Sequence, residues 1–230
     1  MQRISNPEEL EQLYQEFSKK NSEENKKYQE IIKVCTGGGC IACGSLNLRS
    51  ELIKKLKEKG LEDKVYLRST GCMGPCSKGP VIMMQKSGIF YENVQLSDVE
   101  ELVESHLLKN KPIERLMHHN DDDGKPVSDV NDVKLFNRQR KIVLRRCGNI
   151  DPVDITEYIA SGGYLSIKKV ITSMNPEGVI EEMKVSGLRG RGGAGFPTHL
   201  KWGLAYKEIS DQKYILCNAD EGDPGAFMDR

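Results

Sequence analysis

Seven cysteines punctuate this chain of 230 residues, at positions 35, 40, 43, 72, 76, 147 and 217. Five of them crowd into two glycine-rich runs, Cys35-Thr36-Gly37-Gly38-Gly39-Cys40-Ile41-Ala42-Cys43 and Gly71-Cys72-Met73-Gly74-Pro75-Cys76. The N-terminus is charged and carries no apolar run of the leader type, so a reducing, cytoplasmic setting is expected. There, clustered thiols read as metal ligands more readily than as disulfides. Cys35-x4-Cys40 and Cys72-x3-Cys76 suit a [2Fe–2S] centre, because the glycines let backbone wrap the cluster and aim N–H groups at its sulfurs. Two other ligand schemes stand beside this one. Structural zinc favours C-x2-C knuckles, of which Cys40-x2-Cys43 is the one present. A C-x4-C-x2-C…C set of Cys35, Cys40, Cys43 and Cys72 would also suit iron and sulfur, but it gives Cys76 no role. Cys147 and Cys217 have no near cysteine neighbour and are expected to be small buried hydrophobes.

A second chemistry lies near the other end, in Ser186–Trp202. Five glycines (Gly187, Gly190, Gly192, Gly193, Gly195) and two arginines (Arg189, Arg191) precede a helix start, and Lys201 follows within its first turn. Glycine lets backbone N–H groups approach an anion, and a helix N-terminus adds partial positive charge, so the run reads as a phosphate cradle. It is not a P-loop, since no Lys-Ser or Lys-Thr follows a glycine, and G-x-G-x-x-G matches only loosely at Gly190, Gly192 and Gly195. A plain surface loop is the competing interpretation. Lys213–Cys217 reads as a short buried strand, followed directly by Asn218-Ala219-Asp220-Glu221-Gly222-Asp223-Pro224-Gly225. Carboxylates at a strand's C-terminal end can bond ligand hydroxyls, although such a run by itself also suits a solvated turn.

The elements that must position these groups follow from periodicity. Asn6-Pro7 starts a helix with Leu10, Leu13, Tyr14 and Phe17 on one stripe, ending or bending in the polar stretch Lys19–Lys27. Then come a strand at Glu30–Val34 and a helix with Leu48, Leu52, Ile53 and Leu56 inward, ended by Gly60. Strands are predicted at Lys64–Arg68, Pro80–Gln85 and Gly88–Val94. A helix with a Ser97/Glu100 capping box follows, with Val99, Leu102, Val103 and Leu107 inward. His118 and His119 before Asn120-Asp121-Asp122-Asp123-Gly124 fail the calcium-loop template and read as solvated linker. Beyond it, Lys141–Leu144 reads as a strand and Asp151-Pro152 and Asn175-Pro176 as helix starts. The first of these helices stops at Ser161-Gly162-Gly163, and further helices are predicted over 165–173 and 176–185. The alternation says α/β, with ligands at loop ends.

Composition sets outer bounds. Lys and Arg number 34 against 34 Asp and Glu, so no nucleic acid or bilayer surface is implied as partner. No apolar run reaches transmembrane length. The length suits about two domains. The segments are 1–29, an N-terminal helix; 30–110, the cysteine domain; 111–137, a linker; and 138–230, the glycine-loop unit.

Taken together, SGLRGRGGAGFPT-x-x-KW and CNADEGDPGAFMDR resemble the FMN- and NADH-binding domain of the flavoprotein subunit of respiratory complex I and of NAD(P)-reducing and electron-bifurcating hydrogenases. Related formate dehydrogenases share it. The βαββα order around the cysteines resembles the thioredoxin-like [2Fe–2S] ferredoxins. That resemblance implies Cys35, Cys40, Cys72 and Cys76 as cluster ligands, with Cys43 an extra thiol. The flavoprotein resemblance implies Gly190, Arg191, Gly192, Gly193 and Lys201 around the FMN phosphate, and Asn218, Asp220 and Glu221 on the flavin. It also implies Phe196 near the nicotinamide and Asp223 at the acidic NADH-side position. His199 departs from the glycine often found there. Asp223 is one methylene shorter than the Glu usual in complex I, and with the fused cysteine domain it points towards the hydrogenase-type branch.

The expected fold is therefore α/β, a thioredoxin-like [2Fe–2S] ferredoxin domain followed by an incomplete α/β FMN-binding domain. The implied function is electron transfer between NADH or NADPH, FMN and a [2Fe–2S] cluster within a soluble hydrogenase-type or complex I-like assembly, with cofactor rather than side-chain chemistry. The alternative is a [2Fe–2S] carrier or interaction module without a working flavin site. The family's remaining flavin domain, ubiquitin-like insertion and [4Fe–4S] bundle have no counterpart among these residues, so a fragment whose flavin half is marginal by itself is expected.

Overall fold

Strand β1, Glu30–Cys35, is buried along its whole length and is the axis on which the rest is built. In a computed structural model that describes residues 3–214 and 216, the chain divides into two compact units. One is Gln12–Gly163, and the other comprises the chain on either side of it.

The N-terminal helix α1, Pro7–Lys27, opens with Asn6 accepting the Glu9 N–H at 2.8 Å. It runs on through the polar stretch where the sequence predicted an end or bend. Lys19–Glu23 and Lys20–Glu24 pair at i,i+4, and long charged side chains lose little rotamer freedom in a helix. After β1 come α2 (Gly38–Ala42) and α3 (Ser45–Glu58), then β2 (Val65–Thr70), β3 (Ile82–Met84) and β4 (Phe90–Tyr91). The sheet order is β2-β1-β3-β4. β1 and β2 are parallel, while β3 is antiparallel to both β1 and β4.

One face of this sheet packs Ile32 and Val34 against Leu48, Leu52 and Leu56 of α3, each leucine stabilising by about 1.5–3 kcal/mol on burial. Ile53, predicted inward, is 43% exposed, because the stripe of α3 is set by the i,i+4 leucines and Ile53 falls beside it. Val99, Leu102 and Val103 join the same core from a helix that is α4 at Val99–Glu101 and π-helical at Leu102–Leu108. Its capping box is Gln95 with Asp98, not Ser97 with Glu100. A preceding 3-10 turn, Leu96–Asp98, shifts the start, and Glu100 is drawn instead to Lys55 and Lys59.

Residues 111–137, expected as linker, extend the structure. Ile113, Leu116 and Met117 enter the main core, and Glu92 N–H to Leu116 O (2.8 Å) and His118 N–H to Phe90 O (3.1 Å) add this strip to the free edge of β4. An open sheet edge offers unpaired N–H and C=O groups, and apolar residues spaced to follow it fill the role. Phe136, just inside α5 (Lys134–Asn137), meets Phe90 edge to face at 5.1 Å.

The other sheet face carries Ile31, Lys33 and Cys35 and is covered by the second half of α1 and by α6, Ile155–Ala160. Ser18 Oγ donates to Ala160 O at 2.9 Å, and Arg68 pairs with Glu157. Residues 138–163 thus pack within the first unit. The strand predicted at Lys141–Leu144 is instead a turn with Ile142 and Val143 both 66% exposed, having no strand beside it to pair with. The cap of α6 is Asp154, whose Oδ1 accepts the Thr156 N–H at 2.8 Å; Asp151 caps only a local turn at Val153.

In the second unit, α7 (Leu165–Ser173) and α8 (Pro176–Val185) stand where predicted, with the Asn175 cap accepting from Gly178 N–H at 2.8 Å. Helix α9, Thr198–Lys207, packs on α8, and Tyr206 donates to Glu177 at 2.7 Å. None of α7, α8 and α9 buries a side chain fully. Lys213, Tyr214 and Leu216 form no strand and are exposed, contrary to expectation, and Ile215 and Cys217 lie outside the described residues.

Candidate metal centre and anion loop

The C-terminal end of β1 delivers Cys35, and the turn after β2 delivers Cys72 beside it, because the register pairs Cys35 with Thr70. Cys40 sits in α2 and Cys76 opens a 3-10 turn, Cys76–Lys78. The four thiols form a chain of neighbours. Cys35 is close enough to Cys40 and Cys72 for both to act on its thiol, and Cys72 Sγ lies 3.8 Å from Cys76 Sγ. Among the described residues no group of three or more His, Cys, Asp or Glu is placed to hold a metal ion. A chain of two thiol pairs is the donor set a two-iron cluster takes, two thiolates on each iron.

The backbone fits the same group. N–H groups of Gly37 and Met73 are aimed at the Cys35 sulfur, that of Val81 at Cys40 and that of Gly74 at Cys72. Side chains are excluded where the loops close: a Cβ on Gly79 would stand 2.9 Å from Cys40 Sγ, and one on Gly37 3.0 Å from Cys72 Cβ. As free thiols the groups share charge unevenly. The Cys40 hydrogen bond, with the Gly37 and Met73 amides, lowers Cys35 to about 6 against the cost of burial. Cys40 is pushed up, first by that partner and then by burial, while burial raises Cys72. Iron would displace the protons from all four. Cys35 and Cys40 are buried, Cys72 is half-buried and Cys76 is exposed, so one rim of the site faces solvent. Cys43 is exposed at the end of α2, outside the thiol chain. Cys147 is half-buried rather than buried.

On the same face of β1 as Cys35 lies a charged layer that sequence reasoning missed. Lys33 is buried and donates to Asn149 Oδ1 at 3.1 Å, and burial with the neighbouring Arg68 lowers it to about 8. Arg68 Nε stands 3.0 Å from Glu157 Oε1. The sole signal was a lysine at the centre of the apolar strand Glu30-Ile31-Ile32-Lys33-Val34-Cys35.

The glycine loop is a closed excursion between α8 and α9. Gly190 N–H donates to Phe196 O at 2.8 Å and Thr198 N–H to Leu188 O at 3.1 Å, so the two ends meet. Arg189 reaches Gly195 O at 3.1 Å. Gly193 (φ 104°) and Gly195 (φ 63°) hold backbone conformations that side chains resist. Gly190, Arg191, Gly192, Gly193 and Phe196 are exposed on the loop, and Lys201 lies in the first turn of α9. The loop's exposed N–H groups and Arg191 fit an anion. Asn218, Asp220, Glu221 and Asp223 lie outside the described residues.

Residues 4–107 match the family model of thioredoxin-like [2Fe-2S] ferredoxins, and residues 183–230 match that of the Nuo51 FMN-binding domain. One segment of the chain is thus similar to thioredoxin-like [2Fe–2S] ferredoxins and another to part of the Nuo51 FMN-binding domain. It is similar to the NADP-reducing hydrogenase subunit HndC of Solidesulfovibrio fructosivorans, with 58% identity over 40% of this chain and 19% of that protein. It is also similar to an NADH-quinone oxidoreductase subunit of Rhizobium meliloti, with 47% identity over 36% of this chain and 20% of that one. A thioredoxin-like [2Fe-2S] ferredoxin from Aquifex aeolicus superposes with a TM-score of 0.38 at 28% identity, covering 40% of this chain and 99% of that one. The chain spans about a fifth of the length of the curated relatives it matches. No helix among the described residues is long and apolar enough to cross a membrane.

Proposed function

We propose that this chain is an electron-transfer portion of an NAD(P)H-dependent FMN and iron–sulfur oxidoreductase, working with other subunits of a hydrogenase-type or complex I-like assembly in the cytoplasm. The observation that carries the reading is the chain of glycine-set thiols with amide N–H groups on three of the sulfurs, in one polypeptide with the anion loop. Cys35, Cys40, Cys72 and Cys76 would hold a [2Fe–2S] cluster within residues 30–110. Gly190, Arg191, Gly192, Gly193 and Lys201 would bind the FMN phosphate within residues 138–230. Phe196, Asn218, Asp220, Glu221 and Asp223 would complete the flavin and nicotinamide contacts, with NADH or NADPH as donor. When bound, flavin and cluster together supply the exchange of a two-electron hydride for single electrons.

The protein's own part is to bind and orient. Gly37, Met73, Gly74 and Val81 offer N–H groups that stabilise negative charge on the sulfurs. Arg191 and the loop amides favour a phosphate dianion. A carrier role without flavin is the second reading, favoured by the absence of a fully buried side chain in α7, α8 and α9. The visible and EPR spectra of the full chain, purified anaerobically and supplied with FMN, separate the two. Cluster bands with stoichiometric flavin support the first reading; cluster bands with no retained FMN leave the carrier. A colourless, zinc-containing protein refutes both.

A further inference from the structure

Alternation along β1 places Ile31, Lys33 and Cys35 on one sheet face and Ile32 and Val34 on the other. Lys33 is only 5% exposed, a position an ammonium tolerates when it is compensated. It donates to a neutral acceptor, Asn149 Oδ1, at 3.1 Å. The neighbouring carboxylate, Glu157, stands 3.0 Å from Arg68 Nε, and Arg68 is the residue opposite Lys33 in β2. Of the charged groups that act on Lys33, Arg68 is a cation and Glu157 a carboxylate, so these three together carry one positive charge in excess.

That charge rises from the same face of β1 as Cys35. Lys33 lies two positions before Cys35, with only Val34 between them, about 7 Å along the backbone. Its anchor belongs to the wall of the thiol site: Asn149 follows Gly148, where a Cβ would lie 3.2 Å from Cγ of Met73 in the Cys72–Cys76 loop. A buried lysine costs stability that a methionine of similar length would not. A structural role gives no reason to retain the charge here.

We propose that Lys33 is the cation that sets the reduction potential of the centre held by Cys35, Cys40, Cys72 and Cys76, with Asn149 holding its ammonium in place. This rests on the reading of those four cysteines as a [2Fe–2S] site. Reduction adds one electron to a centre already negative from four thiolates. A nearby cation in a poorly solvated layer stabilises the reduced form more than the oxidised one, and so raises the potential.

The test is an anaerobic redox titration of the full chain at pH 6.5, followed by cluster absorption and EPR, in wild type, Lys33→Met, Lys33→Arg and Asn149→Asp. Lys33→Met is expected to retain the cluster and lower its reduction equilibrium constant about tenfold, or ~59 mV for one electron. Asn149→Asp should move the potential in the same direction, because the new carboxylate neutralises the ammonium. Lys33→Arg should stay within about twofold of wild type. An unchanged potential in Lys33→Met overturns the proposal, as does Lys33→Arg shifting as far as Lys33→Met. If Lys33→Met assembles no cluster, Asn149→Asp decides, and no downward shift there overturns the proposal. A wild-type chain without iron–sulfur absorption refutes instead the reading of the four cysteines.

Discussion

Arg68 Nε on β2 lies 3.0 Å from Glu157 Oε1 on α6, and both side chains are nearly closed to solvent. Arg68 also donates to Asn21 of α1 at 3.1 Å, so a single guanidinium ties together two helices that cover one face of the sheet. Removing one partner strands a buried charge. Glu157→Ala should destabilise the chain by about 3–5 kcal/mol in urea unfolding, whereas an exposed pair such as Lys19–Glu23 should change little when broken. A loss below ~1 kcal/mol at Glu157 would mean the layer is open to water.

Gly79 and Gly38 provide a matched pair of alanine substitutions. A Cβ on Gly79 would meet Cys40 Sγ at 2.9 Å, while one on Gly38 meets nothing within 4 Å. Gly79→Ala is expected to displace Cys40 and cut cluster occupancy severalfold. Gly38→Ala should leave iron content and spectrum as in wild type. Equal occupancy in the two variants would refute the close packing of the thiol site.

Serine replacements should separate the ligand schemes. Cys35→Ser, Cys40→Ser, Cys72→Ser and Cys76→Ser are each expected to abolish or visibly shift the cluster spectrum. Cys43→Ser should not, because that thiol is exposed and outside the chain of neighbours. Cluster loss on Cys43→Ser with retention on Cys76→Ser would restore the C-x4-C-x2-C…C set.

His106 makes stability depend on pH. Tyr91 Oη accepts the Ile113 N–H at 3.1 Å and hydrogen-bonds His106 Nδ1 at 2.6 Å, while Ser87 Oγ hydrogen-bonds Nε2 at 3.1 Å. Burial lowers the His106 pKa below its ordinary 6.5. The unfolded chain then binds the extra proton first, so this contribution is present above about pH 6.5 and is lost as pH falls below it. Wild type should lose at most about 1.4 kcal/mol per pH unit more than His106→Gln between pH 6.5 and 5.5. Parallel pH profiles for the two proteins would contradict the assignment.

Tyr91→Phe tests the same network from the other side. It leaves His106 Nδ1 and the Ile113 N–H without their partner in a buried place, and should cost about 1–3 kcal/mol in urea unfolding.

Local chemistry was legible in the sequence. The two cysteine runs, the leucine spacing of α3 and the Asn175-Pro176 start of α8 each declare themselves within a dozen residues, because caps, turns and amphipathic stripes are local interactions. Periodicity failed where a distant partner decided the outcome. Residues 111–137 looked like linker until β4 offered a free edge for Leu116 and His118. Lys141–Leu144 looked like a strand but met no edge to join. The thiol site shows the same division. Sequence by itself determined that thiols and glycines would alternate. Only the parallel pairing of β1 with β2 decided that Cys35 would stand beside Cys72 and leave Cys43 outside. The charged layer, Lys33 with Arg68 and Glu157, belongs wholly to tertiary structure: burial and pairing depend on which face of a sheet is covered, and no local spacing encodes that.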